Sequence, residues 1–581
     1  MQLKSANTIT SIIIRHPYLS VILICLISTP LYFASLDPVR SGTLWIIVGT
    51  LIFFSIKLVI EFSESKQFDK KETATLIVAI LVIIFTSTYL YSLSENKHLW
   101  HLLGGFAVVL TLYWFSDRKN NSESLNIFLI SGLGFVLKIH YVLITSILDR
   151  QHDVLFFGGN AGHAAYIEYI LNYHSLPNVN PQELWQSYHP PLHHIASAIW
   201  IGFNEKLLMV DHNASRESLQ IPALIYSMLI IIISIRIMKY FKLKAHALYL
   251  PLIILNFHPS IIHFAGSINN DPLATVFVMG AILTTLQWYE KQTTRNIIKI
   301  ALMIGLGMMT KISAGIVAPS VAFMFLIVLI NRVKNKDNIR KLLTQYFIFG
   351  IICIPLGLWY PIRNTIRWGL PLLYVSKIPE NTIQKIDIPF WNRITDFSSY
   401  QFKNVYEQWK FIEDGSIKGY NEFNPIIAAI KTSVFGEYLN DSVFKYSNGI
   451  NPSFFAYFMF WIAVIIAIIA TFAFVHLITS KRLRSSLNTT CRIGIFFLTV
   501  FIFSSMISYY KLANDYPFVC TMDFRYIVPL VPISLTLIGN WTDKYLFSNN
   551  RLRLVSTVTL YICFIIFAFC TTIFIGAIGF I

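Results

Sequence analysis

The strongest constraint on this chain is a succession of apolar runs, each close to the length that crosses a bilayer. They lie at 19–36, 43–62, 73–93, 98–116, 125–148, 220–241, 246–265, 271–290, 297–312, 313–331, 344–361, 453–478, 491–510, 525–543 and 553–579. Because roughly 20 apolar residues span the hydrocarbon, the pattern predicts an all-α polytopic membrane protein with about fifteen transmembrane helices. The rest of the composition agrees. Only 13% of the 581 residues are charged, against about 25% in a soluble domain. A formal net charge of +16 would suggest a nucleic-acid partner in a soluble chain. Here the Lys and Arg fall mostly in short loops between apolar runs, so orientation explains them and no nucleic acid is expected.

Those loops set the expected topology. Lys66, Lys70 and Lys71, then Arg118 and Lys119, Arg236 to Lys244, Lys291 to Lys299, Arg332 to Lys341, Lys481 to Arg484, and Lys544 to Arg553 mark one side. The charge rule puts that side in the cytoplasm, with the N-terminus, and leaves the other loops and the C-terminus outside. The first run has no convincing small-residue cleavage site and reads as a retained helix. Residues 191–208 are apolar enough for a helix, but a crossing there would invert the charge rule. They are therefore expected to form an interfacial helix on the outer side. The chain then divides into an N-terminal four-helix region (1–124), a membrane core (125–361) with a first outer loop at 149–219, a mixed outer lobe (362–452) and C-terminal helices (453–581). Six cysteines contain no CxxC pair, which signals neither a zinc site nor a disulfide framework.

The polar residues that invite chemistry sit in the outer segments. In HDVLFFGGNAGHAAYIEYI, Asp153 precedes a glycine turn, and His163, Tyr166 and Ile170 share one helical face. In QSYHPPLHHIASAIW the paired prolines suit the opening of a helix. His189, His193 and His194 do not read as a metal cluster: Pro190 and Pro191 interrupt the spacing, and HExxH is absent. Asp271, in GSINNDP, heads a membrane helix, where simple capping is the plain alternative. Lys311, in GMMTKISAG, is costly in the membrane unless paired. Arg363 and Asn364 leave the membrane in WYPIRNTIRWG, and Asp523, Arg525 and Tyr526 re-enter it in MDFRYIVPLVP.

The order of these pieces from about 125 to 535 resembles the GT-C superfamily of membrane glycosyltransferases, such as protein O-mannosyltransferases and the lipid A aminoarabinose transferase. The shared marks are an acidic first outer loop, HPPL leading into a helix, a second outer Asp, a TK turn and an RN exit. The resemblance implies a sugar donor carried on a polyprenyl phosphate, a glycan, lipid or protein acceptor, and an active site on the periplasmic or lumenal face. It also implies an integral multi-pass protein, of a bacterial inner membrane in preference to the endoplasmic reticulum. Asp153 would be the general base. Many relatives carry an Asp-Glu pair where this chain has Gly162 and His163, so His163 and Glu168 stand as alternatives. Asp271 would be the second acidic position, holding sugar or a metal. Lys311 and Arg363 would neutralise the leaving phosphate, with Arg525 ranked behind them for that task. Tyr166, Tyr188, His189, Asn270 and Asn364 would line the substrate site. No cofactor is required by this pattern, and a divalent metal is compatible with it. A polytopic transporter or lipid-linked glycan flippase is the alternative. It would carry intramembrane charges, broken helices and internal repeats.

Overall fold

The computed structural model describes residues 70–93, 97–117, 122–148, 151–207, 209–376, 382–398, 405–411, 416–437, 452–546 and 550–578. The expected spans at 19–36 and 43–62, and the loop residues Lys66, Arg118 and Lys119, lie outside them. Every other apolar run carries a helix. Among the described residues, eight helices are long and apolar enough to cross a membrane, or up to ten if each of two bent pairs is one span. Thr294–Thr310 is shorter than a span and stops at Lys311, where the backbone becomes extended before a 3₁₀ turn at Ile312–Val317.

The first bend follows from proline. His258 precedes Pro259, and the residue before a proline is driven out of the α region. His258 accordingly has φ −71° and ψ 123°, and the pair Ala245–Phe257 and Pro259–Gly266 bends by 48°. The second bend, 50°, separates Val519–Ile527 from Leu530–Leu546. A polar turn lies near each bent pair: Ser267 to Asn270 follows the first pair, and Asp523 to Tyr526 precedes the second break.

The largest core joins the helices Gln220–Tyr240, Ala245–Phe257, Asp271–Glu290, Thr294–Thr310 and Leu530–Trp541. Several polar groups inside it are paired. Buried Trp288 donates its indole N–H to Gln345 Oε1 at 2.8 Å. Lys138, deep in Glu123–Ile144, donates to the carbonyls of Asn256 (2.9 Å) and Gly134 (3.3 Å), which limits the cost of a buried ammonium. The helices Lys70–Leu93 and Lys97–Asp117 pack on each other and, through the second, on Glu123–Ile144.

Leu192–Leu207 is not among the candidate spans. It packs on Gly162–Tyr173, burying His193, His194, Ser197, Ala198, Ile201 and Asn204. Ile199, Phe203 and Leu207 are exposed on its other side. A spacing of four puts them on one helical stripe, a pattern suited to an apolar interface. One difference concerns Arg340–Trp368. The sequence suggested an exit near residue 361, but the helix continues past Pro361 and ends at Gly369, whose φ of 67° suits a glycine C-cap. Arg363 and Asn364 are therefore helical.

The lobe after this helix contains Phe390–Thr395, a two-stranded antiparallel ribbon (Trp409–Phe411 with Ile417–Tyr420) and the helix Pro425–Phe435. It is fastened to the membrane helices. Ile386 N–H donates to Pro517 O, and Val519 N–H to Gln384 O. Buried Arg393 donates to Ala513 O and Phe423 O. Within it, Lys431 and Glu422 form an ion pair of 2.9 Å that is almost wholly buried. Removing one partner of such a pair strands the other charge, at about 3–5 kcal/mol. Glu422→Ala is accordingly expected to lower the thermal stability of the purified protein by about that amount. Combining Glu422→Leu with Lys431→Met should cost much less, and an equal loss in both variants would refute the pairing argument.

Candidate active site

The first outer loop is positioned by backbone contacts at the start of Gly162–Tyr173. His163 N–H donates to Asp153 O (2.9 Å), Ala164 N–H to Val154 O (3.1 Å) and Gly162 N–H to Trp185 O (3.2 Å). The loop passes so close that a side chain at Gly162 would collide with the Val154 carbonyl, and Gly162 itself has φ 88°. Asp153 and Leu155 take left-handed φ values of 60° and 54°, which cost about 1–2 kcal/mol each without glycine. Gly162 thus occupies a place that only glycine fits.

This clasp aims Asp153 at the far end of the chain. Arg525 Nη2 lies 3.0 Å from Asp153 Oδ2 and 3.1 Å from the Tyr526 hydroxyl. Lys311 pairs with Asp271. Both cations lie over the Tyr526 ring, Arg525 at 5.0 Å and Lys311 at 5.3 Å from its centroid. Two acids and two bases from four segments therefore surround one aromatic ring. Asp153 remains the most open of them, with 31% of its side chain exposed, against 7–11% for the other three. Burial favours its neutral acid, but nearby positive charge, Arg525 foremost and Lys311 besides, outweighs burial and holds the carboxyl below its ordinary value.

The NDP and TK motifs meet directly. Asn269 Oδ1 accepts the Asp271 N–H at 3.1 Å, so the Asp271 carboxylate is left to Lys311. Asn270 Nδ2 donates to Thr310 O at 3.2 Å. A cavity beside them is lined by Asn269, Asp271, Asp523, Arg525, His152 and Glu437, among others.

The remaining residues singled out in the sequence occupy other surroundings. Glu168 accepts from Arg216 (2.9 Å) and from the Gly158 N–H, and Arg216 also binds Glu205 at 2.8 Å. Glu168 therefore fastens the glycine turn to the loop before Gln220. His163 Nδ1 lies 2.9 Å from His194 Nε2. His163 stacks on His189 and His194, and Tyr166 stacks on His194. Burial depresses His163 to about 3, His193 to about 4 and His189 well below the ordinary value. This neutral stack is a packed layer beneath the loop. His193 contacts Ile268 O at 2.7 Å, which joins the layer to the GSINNDP turn. Tyr166 meets the Tyr360 hydroxyl at 3.1 Å, and Tyr360 donates to Ser187 O at 2.6 Å. Arg363 donates to Pro177 O (2.7 Å) and to Asn364 (3.0 Å) and covers Tyr360. Tyr188 packs edge-on against Tyr374.

One cluster was not assembled from the sequence. His152 Nδ1 lies 3.0 Å from Glu437 Oε2, and its Nε2 lies 3.6 Å from Asp523 Oδ2. Glu437 stands just beyond Pro425–Phe435, in a stretch with no motif. Only the adjacency of His152 to Asp153 and of Asp523 to Arg525 offered a signal.

Residues 195–359 match the family model of dolichyl-phosphate-mannose-protein mannosyltransferases. No curated protein matches the chain at a significant level. The match bears out the resemblance to GT-C-like enzymes and supports a membrane glycosyltransferase of mannosyltransferase type. The matched segment holds Asn270, Asp271 and Lys311. Asp153 and Arg525 lie outside it and reach it through Tyr526 and the Asp153–Arg525 pair.

The clasp is testable without an assay of function. Gly162→Ala is expected to destabilise the protein by about 1–3 kcal/mol and to open the 151–161 loop to proteolysis. Unchanged melting and unchanged cleavage would contradict the close approach to Val154.

Proposed function

We propose that the protein transfers a sugar from a polyprenyl-phosphate donor to an acceptor hydroxyl on the periplasmic or lumenal face, with Asp153 as general base. The observation that carries this reading is the quartet of Asp153, Arg525, Lys311 and Asp271 around Tyr526, beside a cavity. The acceptor oxygen attacks the anomeric carbon as the bond to the phosphate oxygen breaks. Asp153 takes the hydroxyl proton, and the phosphate leaves with the bonding pair. Both Asp153 and Glu168 are paired with an arginine, but Asp153 suits this role better because 31% of its side chain is exposed against 15% for Glu168, while His163 is buried in the histidine layer. Arg525 and Lys311 neutralise the departing phosphate, and cations in a site shielded from water do this most effectively. Asp271 holds Lys311 in place until donor binds and then faces the sugar. Asn270, Tyr188 and His189 belong to the surrounding wall, and Arg363 and Asn364 clamp the loop that closes it.

The transporter reading draws support from buried Lys138 and from the two bent helix pairs. Against it, the segments flanking the two bends carry Asp271 and Arg525 of the acid–base quartet, and the matched family consists of mannosyltransferases.

Loss of sugar from a polyprenyl-phosphate donor in proteoliposomes tests the roles. Asp153→Asn is expected to slow transfer by about 10²–10⁴-fold. Lys311→Met and Arg525→Met should each slow it by about 10²–10³-fold, with every variant inserted and monodisperse. Wild-type rates in Asp153→Asn would sink the base assignment, and wild-type rates in both cation variants would sink the leaving-group role.

A further inference from the structure

The cluster of His152, Glu437 and Asp523 presents one imidazole nitrogen and two carboxylates whose ligand atoms all lie within 4.8 Å of one another. Glu437 and Asp523 are each only 2% exposed. Among the described residues no hydrogen-bond donor reaches Glu437 Oε1 or Asp523 Oδ2, although both residues line the cavity that also reaches Asp271. A buried carboxylate oxygen without a donor is costly, and the two carboxylates flank one imidazole, Glu437 on its Nδ1 side and Asp523 on its Nε2 side. An imidazolium would offset one of the two negative charges. A divalent cation would offset both and fill both vacant acceptor positions.

The geometry points to a divalent transition-metal site, of the Zn²⁺ or Mn²⁺ type, formed by His152, Glu437 and Asp523. Mixed imidazole and carboxylate donors select such ions over Ca²⁺ or Mg²⁺, which prefer oxygen alone. Three protein ligands leave a position open to water or to a phosphate oxygen, and the shared cavity supplies the route. The ion would join three segments: the loop that carries Asp153, the end of the lobe helix Pro425–Phe435, and the turn that carries Arg525. It would thereby fix the spacing of the Asp153–Arg525 pair from behind. Metal binding at this place does not depend on the chain being a glycosyltransferase.

The test is direct. Purified protein is stripped with EDTA, dialysed against Zn²⁺ or Mn²⁺ and measured by elemental analysis and calorimetry. One equivalent is expected, with a rise in melting temperature. The Zn edge X-ray absorption should show a single imidazole among oxygen ligands. Glu437→Gln and Asp523→Asn, which preserve shape, should each weaken binding at least tenfold and lose the thermal shift. No binding by the wild-type protein overturns the inference, as does an edge spectrum with two or more imidazoles or none. Stoichiometric binding that survives the combined Glu437→Gln and Asp523→Asn variant would also overturn it, by placing the ion elsewhere. The spectrum of the wild-type protein decides the matter even if the variants fail to fold.

Discussion

The contact between Asp153 and Arg525 joins residues 372 positions apart. It ties the first large loop to the last broken helix and brings both to the Tyr526 ring, where the Lys311–Asp271 pair also lies. Charges this buried are stable only in mutual company, because desolvation of each would otherwise cost several kcal/mol. The quartet therefore constrains four segments of chain at once. A phosphate arriving among these groups would find two cations already in place and would compete with carboxylates for them.

The surrounding architecture makes that convergence possible. Apolar helices supply a bundle whose backbone is satisfied internally. Its breaks, at His258–Pro259, at Lys311 and near Pro529, lie near short polar turns at one end. The lobe closes over the same end through Arg393 and the pairing of 384–386 with 517–519. A single bundle end thus collects GSINNDP, TK, DFRY and the first loop.

Much of this was legible in the sequence because the membrane imposes a length and a polarity on each span. The runs from 73–93 onward all carry helices, and the basic loops suggested that 191–208 does not cross. The family resemblance also pointed to Asp153, Asp271 and Lys311. What stayed hidden depends on contacts between distant residues. By sequence, Arg363 ranked ahead of Arg525 as a phosphate partner, yet Arg363 binds the Pro177 carbonyl while Arg525 meets Asp153. Glu168 stood as an alternative base to Asp153, and the structure shows it holding the Gly158 turn to Arg216 instead. Gly162 stood where relatives carry an acid, and the close approach of Val154 explains the glycine. Glu437 had no local pattern at all, since its significance comes only from His152 and Asp523.

The central claim is that the chain moves sugar from a lipid-linked donor. The most direct measurement compares cell-envelope glycans and glycolipids, by mass spectrometry, in cells with and without the protein, alongside solute uptake. The account predicts that one glycan or glycolipid loses a sugar when the protein is absent, while uptake is unchanged. An unaltered glycan inventory together with altered uptake of a solute would contradict it.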